Sequence, residues 1–247
     1  MFRTYTYTAL ILRVKPSGES NRDLWFLSAE EGILRATVFG GAKSKLRAHT
    51  APFNRGKLWI YHDPVRDSRK VTDFDVQRWR PGLRECYERS AAASAIAETI
   101  LAAHGGGGDW RLALDMADLA LDALDTADEN TCRRIFLHFL WNWLEHLGLR
   151  PDITRCGSCG AEVPSGGRLW YTPEEGLLCA DCVDGVTLEE PLPAGPGCRR
   201  WLLAAQNLAP SLLGRYTMDG DSTRETGALI TTVLAGALGK RLSTWDW

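Results

Sequence analysis

The chain has 247 residues, enough for one large domain or two ordinary ones. Its composition, 45% hydrophobic and 24% charged, is that of a folded globular protein and excludes wholesale disorder. The formal net charge of -2 hides an asymmetry: residues 1–80 carry 15 basic and 8 acidic side chains, residues 81–247 carry 14 and 23. Such a split suggests a polyanion-binding domain joined to an acidic one.

The opening "MFRTYTYTALILRVKPSGES" has too short an apolar run for a signal peptide, and no small-residue cleavage site follows it. No stretch of ~18 uncharged apolar residues occurs, so no membrane span is expected. These features place the chain in the cytoplasm, where the seven cysteines are not expected to form disulfides.

The first 80 residues read as five short strands: "YTYTALILRV", "RDLWFLSA", "ILRATVFG", "GKLWIYH" and "RKVTDFDVQRW". The apolar phase slips between Val71 and Phe74, which predicts a bulge in the fifth. Five strands in this length suit a small closed barrel or a sandwich, and the OB-fold has this strand count and commonly binds oligonucleotides. From Gly32 to His62 there is no acid but six cations: Arg35, Lys43, Lys45, Arg47, Arg55 and Lys57. An acid-free cationic segment beside a barrel fits tracking of a sugar–phosphate backbone, with neighbouring aromatics available for stacking. The candidate DNA contacts are these six and Arg13 on the first strand. Nothing resembles a recognition helix, so binding should be largely independent of sequence.

"RPGLRE" marks a boundary, and the pattern turns helical beyond it. The expected organisation is α+β and multidomain: a five-stranded OB barrel over 1–80, then a mostly helical domain over 81–247. "YERSAAASAIAETILAAH" is a helix stopped by four glycines. In "DWRLALDMADLALDALDTAD", Asp109 suits the N-cap, and an apolar stripe opposes Asp115, Asp118, Asp122 and Asp125. The acidic stripe is expected to be a solvated face. "CRRIFLHFLWNWLEHLG" is apolar nearly all round and should be a central core helix, with His138 and His146 as ordinary helix histidines. Two helices close the chain, the first interrupted near Pro210.

At about 152–185 lies an inserted module with Cys156 and Cys159, a 19-residue spacer, then Cys179 and Cys182. A two-residue gap lets both thiolates of a knuckle face one ion, and two knuckles close a tetrahedral shell. "PEEG" should turn a hairpin between them. The spacing predicts a zinc ribbon holding one structural Zn(2+), with no open position for water and hence no catalytic role.

The sequence makes no positive case for an enzyme. "GGAKSK" lacks the glycines a phosphate loop needs, and neither a His-Glu-x-x-His nor a Gly-x-Ser-x-Gly motif occurs.

The segment from Arg13 to Ile60 resembles the N-terminal domain of the RecO family of bacterial DNA repair proteins. The likeness rests on Gly18-Glu19 after the first strand, a basic turn through Gly41, Ala42, Lys43, Ser44, Lys45 and Leu46, and Pro52-Phe53. The order of barrel, helical domain, inserted four-cysteine module and closing helices matches too. The resemblance implies a non-catalytic recombination mediator that binds single- and double-stranded DNA and anneals complementary strands. With RecR it would help RecA displace single-strand-binding protein (SSB), the helical domain contacting the SSB C-terminal tail, in association with the nucleoid. The alternative is a zinc-containing protein–protein adaptor whose DNA binding is incidental.

Overall fold

The computed structural model describes residues 3–40, 45–185 and 190–247. Its contacts divide the chain into two compact units, Met1–Ala127 and Asp128–Trp247.

The first unit begins with a closed five-stranded barrel: β1 (Thr4–Ser17), β2 (Asn21–Ser28), β3 (Gly32–Val38), β4 (Arg55–Asp63) and β5 (Ser68–Arg78). They are joined in the order β1-β2-β3-β5-β4, and β1 pairs back on β4, which closes the ring. Only the β3–β5 pairing is parallel, at Thr37 and Lys70. This is the OB-like architecture expected from the five strand patterns. A short helix α1 (Lys45–His49) lies between β3 and β4.

Alternation supplies the core. Ile11, Leu24, Phe26, Ala36, Val38, Leu58, Ile60, Val71 and Phe74 share the interior. The bulge lies where the phase slips: Ile60 faces Val71 and Trp59 faces Asp73, leaving Thr72 as the extra residue. A second irregularity, at Leu12, lets Ile11 face inward and Arg13 outward.

Two helices complete this unit, α2 (Tyr87–Ala102) and α3 (Trp110–Thr126), and both pack on the barrel. The side chain of Asp109 caps α3 by accepting from Leu112 N–H. Gly32 sits at φ +74°, and a Cβ there would lie 2.7 Å from the Trp110 indole, so only glycine admits this packing. The acidic stripe of α3 departs from the solvated face expected of it. Asp118 and Asp122 accept hydrogen bonds from the buried Arg80, and the Asp125 carboxylate accepts from Leu83 N–H. Arg80 also donates to Phe53 O at 2.8 Å, tying the loop before β4 to the helix.

The second unit is built around α4 (Glu129–His146), whose residues Ile135–Trp141 are all buried. The cysteine module follows as β6 (Leu169–Thr172), β7 (Gly176–Leu178) and the short α5 (Ala180–Val183). β8 (Leu192–Ala194) joins β6 to give a three-stranded sheet. Helices α6 (Pro196–Ala205) and α7 (Gly220–Leu238) close the unit, with a 3-10 turn at Pro210–Arg215 where proline was expected to interrupt. The Trp-Asp-Trp end folds back on its own unit: Trp245 is fully buried, and Arg133 donates to its carbonyl at 2.8 Å.

His138 is a buried core histidine, its Nε2 2.8 Å from Leu208 O and its Nδ1 without a hydrogen-bond partner among the described residues. Burial lowers its pKa below the ordinary value, outweighing the opposing hydrogen bonds to Leu208 and Ala205. The unfolded chain therefore takes up the proton first. The contribution is full above the unfolded value of about 6.5 and is lost as pH falls from there through the lower folded-state value. Melting curves between pH 7 and 5 should show an acid-side fall in Tm that is smaller in His138→Gln.

Candidate nucleic-acid surface and metal centre

The outer face of β1, β2 and β3 places Arg13, Trp25 and Arg35 in one row, because Arg13 pairs with Trp25 and Trp25 with Arg35. The Arg35 guanidinium lies 5.1 Å from the Trp25 ring centroid, and the Lys15 ammonium 5.9 Å. Arg35 Nη2 also donates to Asp23 at 2.5 Å. Burial works against ionisation of Asp23, but hydrogen bonds from Arg35 and Thr37 outweigh it and hold the pKa below the usual carboxylate value. Arg35 is thus aimed outward by a carboxylate and a ring, with its side chain 61% exposed.

The remaining candidates separate. Lys45 and Arg47 lie on α1. Arg47 lines a groove beside the β1–β2 turn, together with Lys15 and Arg22. Lys57 is exposed on β4, with Thr8 and Asp75 as strand neighbours. Lys43, with Gly41, Ala42 and Ser44 of the basic turn, lies outside the described residues. Arg55 does not join the patch. Its guanidinium lies 3.5 Å from Asp118 and 3.9 Å from Asp115 on α3, so its charge is met within the protein.

Sequence reasoning overlooked Arg22 and Lys15 because both lie outside the acid-free stretch. The usable signal was strand phase: Arg22 shares the inward phase of Leu24 and Phe26 but stands at the barrel's end. Two exposed aromatics flank this region. Phe39 lies under the Lys70 ammonium at 5.2 Å, and Trp79 meets His49 edge-on at 5.3 Å.

The spacing of the four cysteines is matched in space. One ligand atom from each of Cys156, Cys159, Cys179 and Cys182 lies within 4.8 Å of all the others. A tetrahedral ion with thiolates at ~2.3 Å needs sulfur–sulfur separations of about 3.8 Å. Cys159 and Cys179 stand 3.9 Å apart, so the cluster fits a metal ion with little movement. The backbone prepares it. Gly157 N–H donates to Leu177 O at 2.6 Å, binding the first knuckle to the hairpin, and Cys179 N–H donates to Cys156 Sγ. Burial opposes the Cys156 thiolate, but N–H donors from Cys159, Cys179 and Ser158 prevail and bring its pKa down to about 6. Hydrogen bonding to the neighbouring cysteines pushes Cys182 up to about 12. A divalent cation would remove this competition for protons.

The module is held to α6 by Arg199. Its guanidinium is almost fully buried and donates only to carbonyls: Ile153 O at 2.9 Å, Pro164 O and Gly167 O at 2.7 Å, and Val163 O at 2.8 Å. Among the described residues, no helix is long and apolar enough to cross a membrane.

Residues 1–77 match the family model "Recombination protein O N terminal", and residues 84–246 match "Recombination protein O C terminal". Curated relatives include the DNA repair protein RecO of Anaeromyxobacter sp. (strain K), 29% identical over 96% of this chain and 92% of its own. That of Heliobacterium modesticaldum is 28% identical over 99% and 89%. That of Maridesulfovibrio salexigens is 24% identical over 94% of each. With both halves matched and the barrel, helices and four-cysteine cluster in the expected order, the chain belongs to the RecO family of DNA repair proteins.

Proposed function

We propose that this protein is a non-catalytic recombination mediator that binds single- and double-stranded DNA and anneals complementary strands. With RecR it helps load RecA onto strands coated with SSB, whose C-terminal tail the helical half contacts, in the cytoplasm at the nucleoid. The observation that carries the reading is the cationic face of the barrel, where Arg13, Arg35 and Lys15 surround Trp25 and Arg47 stands nearby. The DNA contacts proposed are Arg13, Arg35, Lys43, Lys45, Arg47 and Lys57. Arg55, only 20% exposed and turned toward Asp115 and Asp118, serves instead to hold α3.

Replacing Lys43, Lys45 and Arg47 together by alanine should weaken duplex binding. The slope of log affinity against log salt should flatten by up to about 0.9 per lost phosphate contact. A salt series by fluorescence anisotropy tests this, and an unchanged slope removes these residues from the interface. Strand annealing on SSB-coated oligonucleotides, with RecR present and absent, tests the mediator role.

The four cysteines are proposed to hold one structural zinc ion. Cys179→Ser should lower the metal content of purified protein from about one ion per chain and reduce its Tm. Retention of both by the variant is the contrary result.

A further inference from the structure

The groove beside the β1–β2 turn has a volume of about 310 Å³, at the small end of ligand-sized recesses. Its walls combine three cations, Lys15, Arg22 and Arg47, with apolar surface from Val14, Pro16 and Pro52. Among the described residues a single acid, Glu19, also lines it, which leaves two positive charges in excess. No ion pair among the described residues engages Lys15, Arg22 or Arg47. Arg22 and Arg47 are close enough to repel. Burial first, and the charge of Arg47 second, lower the pKa of Arg22.

Two guanidinia lining one groove, neither in an ion pair among the described residues, repel unless something anionic bridges them. A phosphate does so, since each guanidinium can offer it paired N–H donors. The apolar walls add a second requirement. The anion should carry a compact, partly apolar group that fits a recess of nucleotide size. A duplex meets this badly, because its bases are stacked inside and its sugars are held in line by the partner strand.

We propose that the groove is a subsite for one nucleotide of an unpaired strand, its phosphate bridged by Arg22 and Arg47 and its nucleoside resting against Val14, Pro16 and Pro52. The subsite rests on the nucleic-acid reading above and refines it: Arg22 is reached by single strands alone, while Arg13, Arg35 and Arg47 serve either form. Lys15 belongs to both places, since its ammonium lies over Trp25 while its side chain lines the groove.

The test uses the full chain with labelled oligothymidylate and a duplex of equal length, each over a salt series. Arg22→Ala and Arg47→Ala should each weaken single-strand binding roughly tenfold. The double variant should flatten the single-strand slope by about 0.7, the value for one phosphate on a single strand. Duplex affinity should change less than twofold for Arg22→Ala. Equal losses on both nucleic acids for Arg22→Ala, or no single-strand loss for either variant, overturn the subsite while leaving a DNA-binding protein in place. Failure of the wild-type chain to bind either nucleic acid overturns the broader reading as well. Thymidine 5′-monophosphate is the competitor: displacement of the oligonucleotide at micromolar concentration identifies a free-nucleotide site and refutes the strand assignment. Both variants should melt with the wild type, since among the described residues neither arginine side chain has a hydrogen-bond or ion-pair partner to lose.

Discussion

Arg199→Ala is expected to unseat the cysteine module from α6, with a loss of stability of roughly 3–5 kcal/mol, because several hydrogen bonds from one buried charged donor are lost together. Arg199 makes four hydrogen bonds to four different carbonyls, spread from Ile153 to Gly167. No acid takes part. The side chain thus acts as a rivet across the loop that carries Cys156 and Cys159, and each freed carbonyl costs desolvation unless water reaches it. Lysine is no substitute, because one ammonium cannot reproduce the planar fork. The variant should show a lower Tm in the second unit and a weaker hold on metal under chelator challenge. A Tm within a degree of wild type, with unchanged metal retention, would show that the loop stands without it.

The second large effect is expected at Arg80. This residue has a positive φ of 46° just before the 3-10 turn Pro81–Arg84, and its side chain reaches Asp118, Asp122 and the Phe53 carbonyl. Arg80→Ala takes from Asp118, itself only 9% exposed, its buried hydrogen-bond partner and leaves it only the longer pairing with Arg55 at 3.5 Å. The cost should be about 3–5 kcal/mol. Replacing both charges together, as Arg80→Met with Asp118→Leu, should recover part of it, because the desolvation of two ions disappears along with their attraction. Chemical denaturation measures the totals, and hydrogen exchange should show the amides of α3 losing protection first. Equal stability of Arg80→Ala and wild type would refute the pairing as a structural element.

Periodicity made the elements legible in the sequence. The alternation of Leu24, Phe26, Leu58 and Ile60 identified strands because one face of each must be buried. The apolar surround of α4 marked a core helix for the corresponding reason. The four cysteines were legible because a two-residue gap has a geometric meaning independent of the rest of the chain. Charged residues carried far less information. Asp118 and Asp115 occupy the same stripe of α3, yet the first is buried against Arg80 and the second is exposed. Their partners, Arg55 and Arg80, lie more than 35 residues earlier, and no local pattern announces an ion pair across that distance. The basic stretch was therefore legible as a stretch, but not where its side chains go: Arg55 turns toward α3, and Arg22, outside the stretch, lines a groove with Arg47.

Thr72 has a consequence for how the barrel tolerates change. Val71 and Phe74 both point into the core only because an unmatched residue separates them from strict alternation, while Thr72 itself is exposed. Beyond one exposed hydrogen bond from its hydroxyl to Trp59 O at 3.2 Å its identity matters little, but the length of the segment does. Substituting another polar residue leaves the corner's curvature intact. Deleting it would straighten β5 and misalign everything beyond it against β4, so at this corner the barrel is more sensitive to the number of residues than to their chemistry.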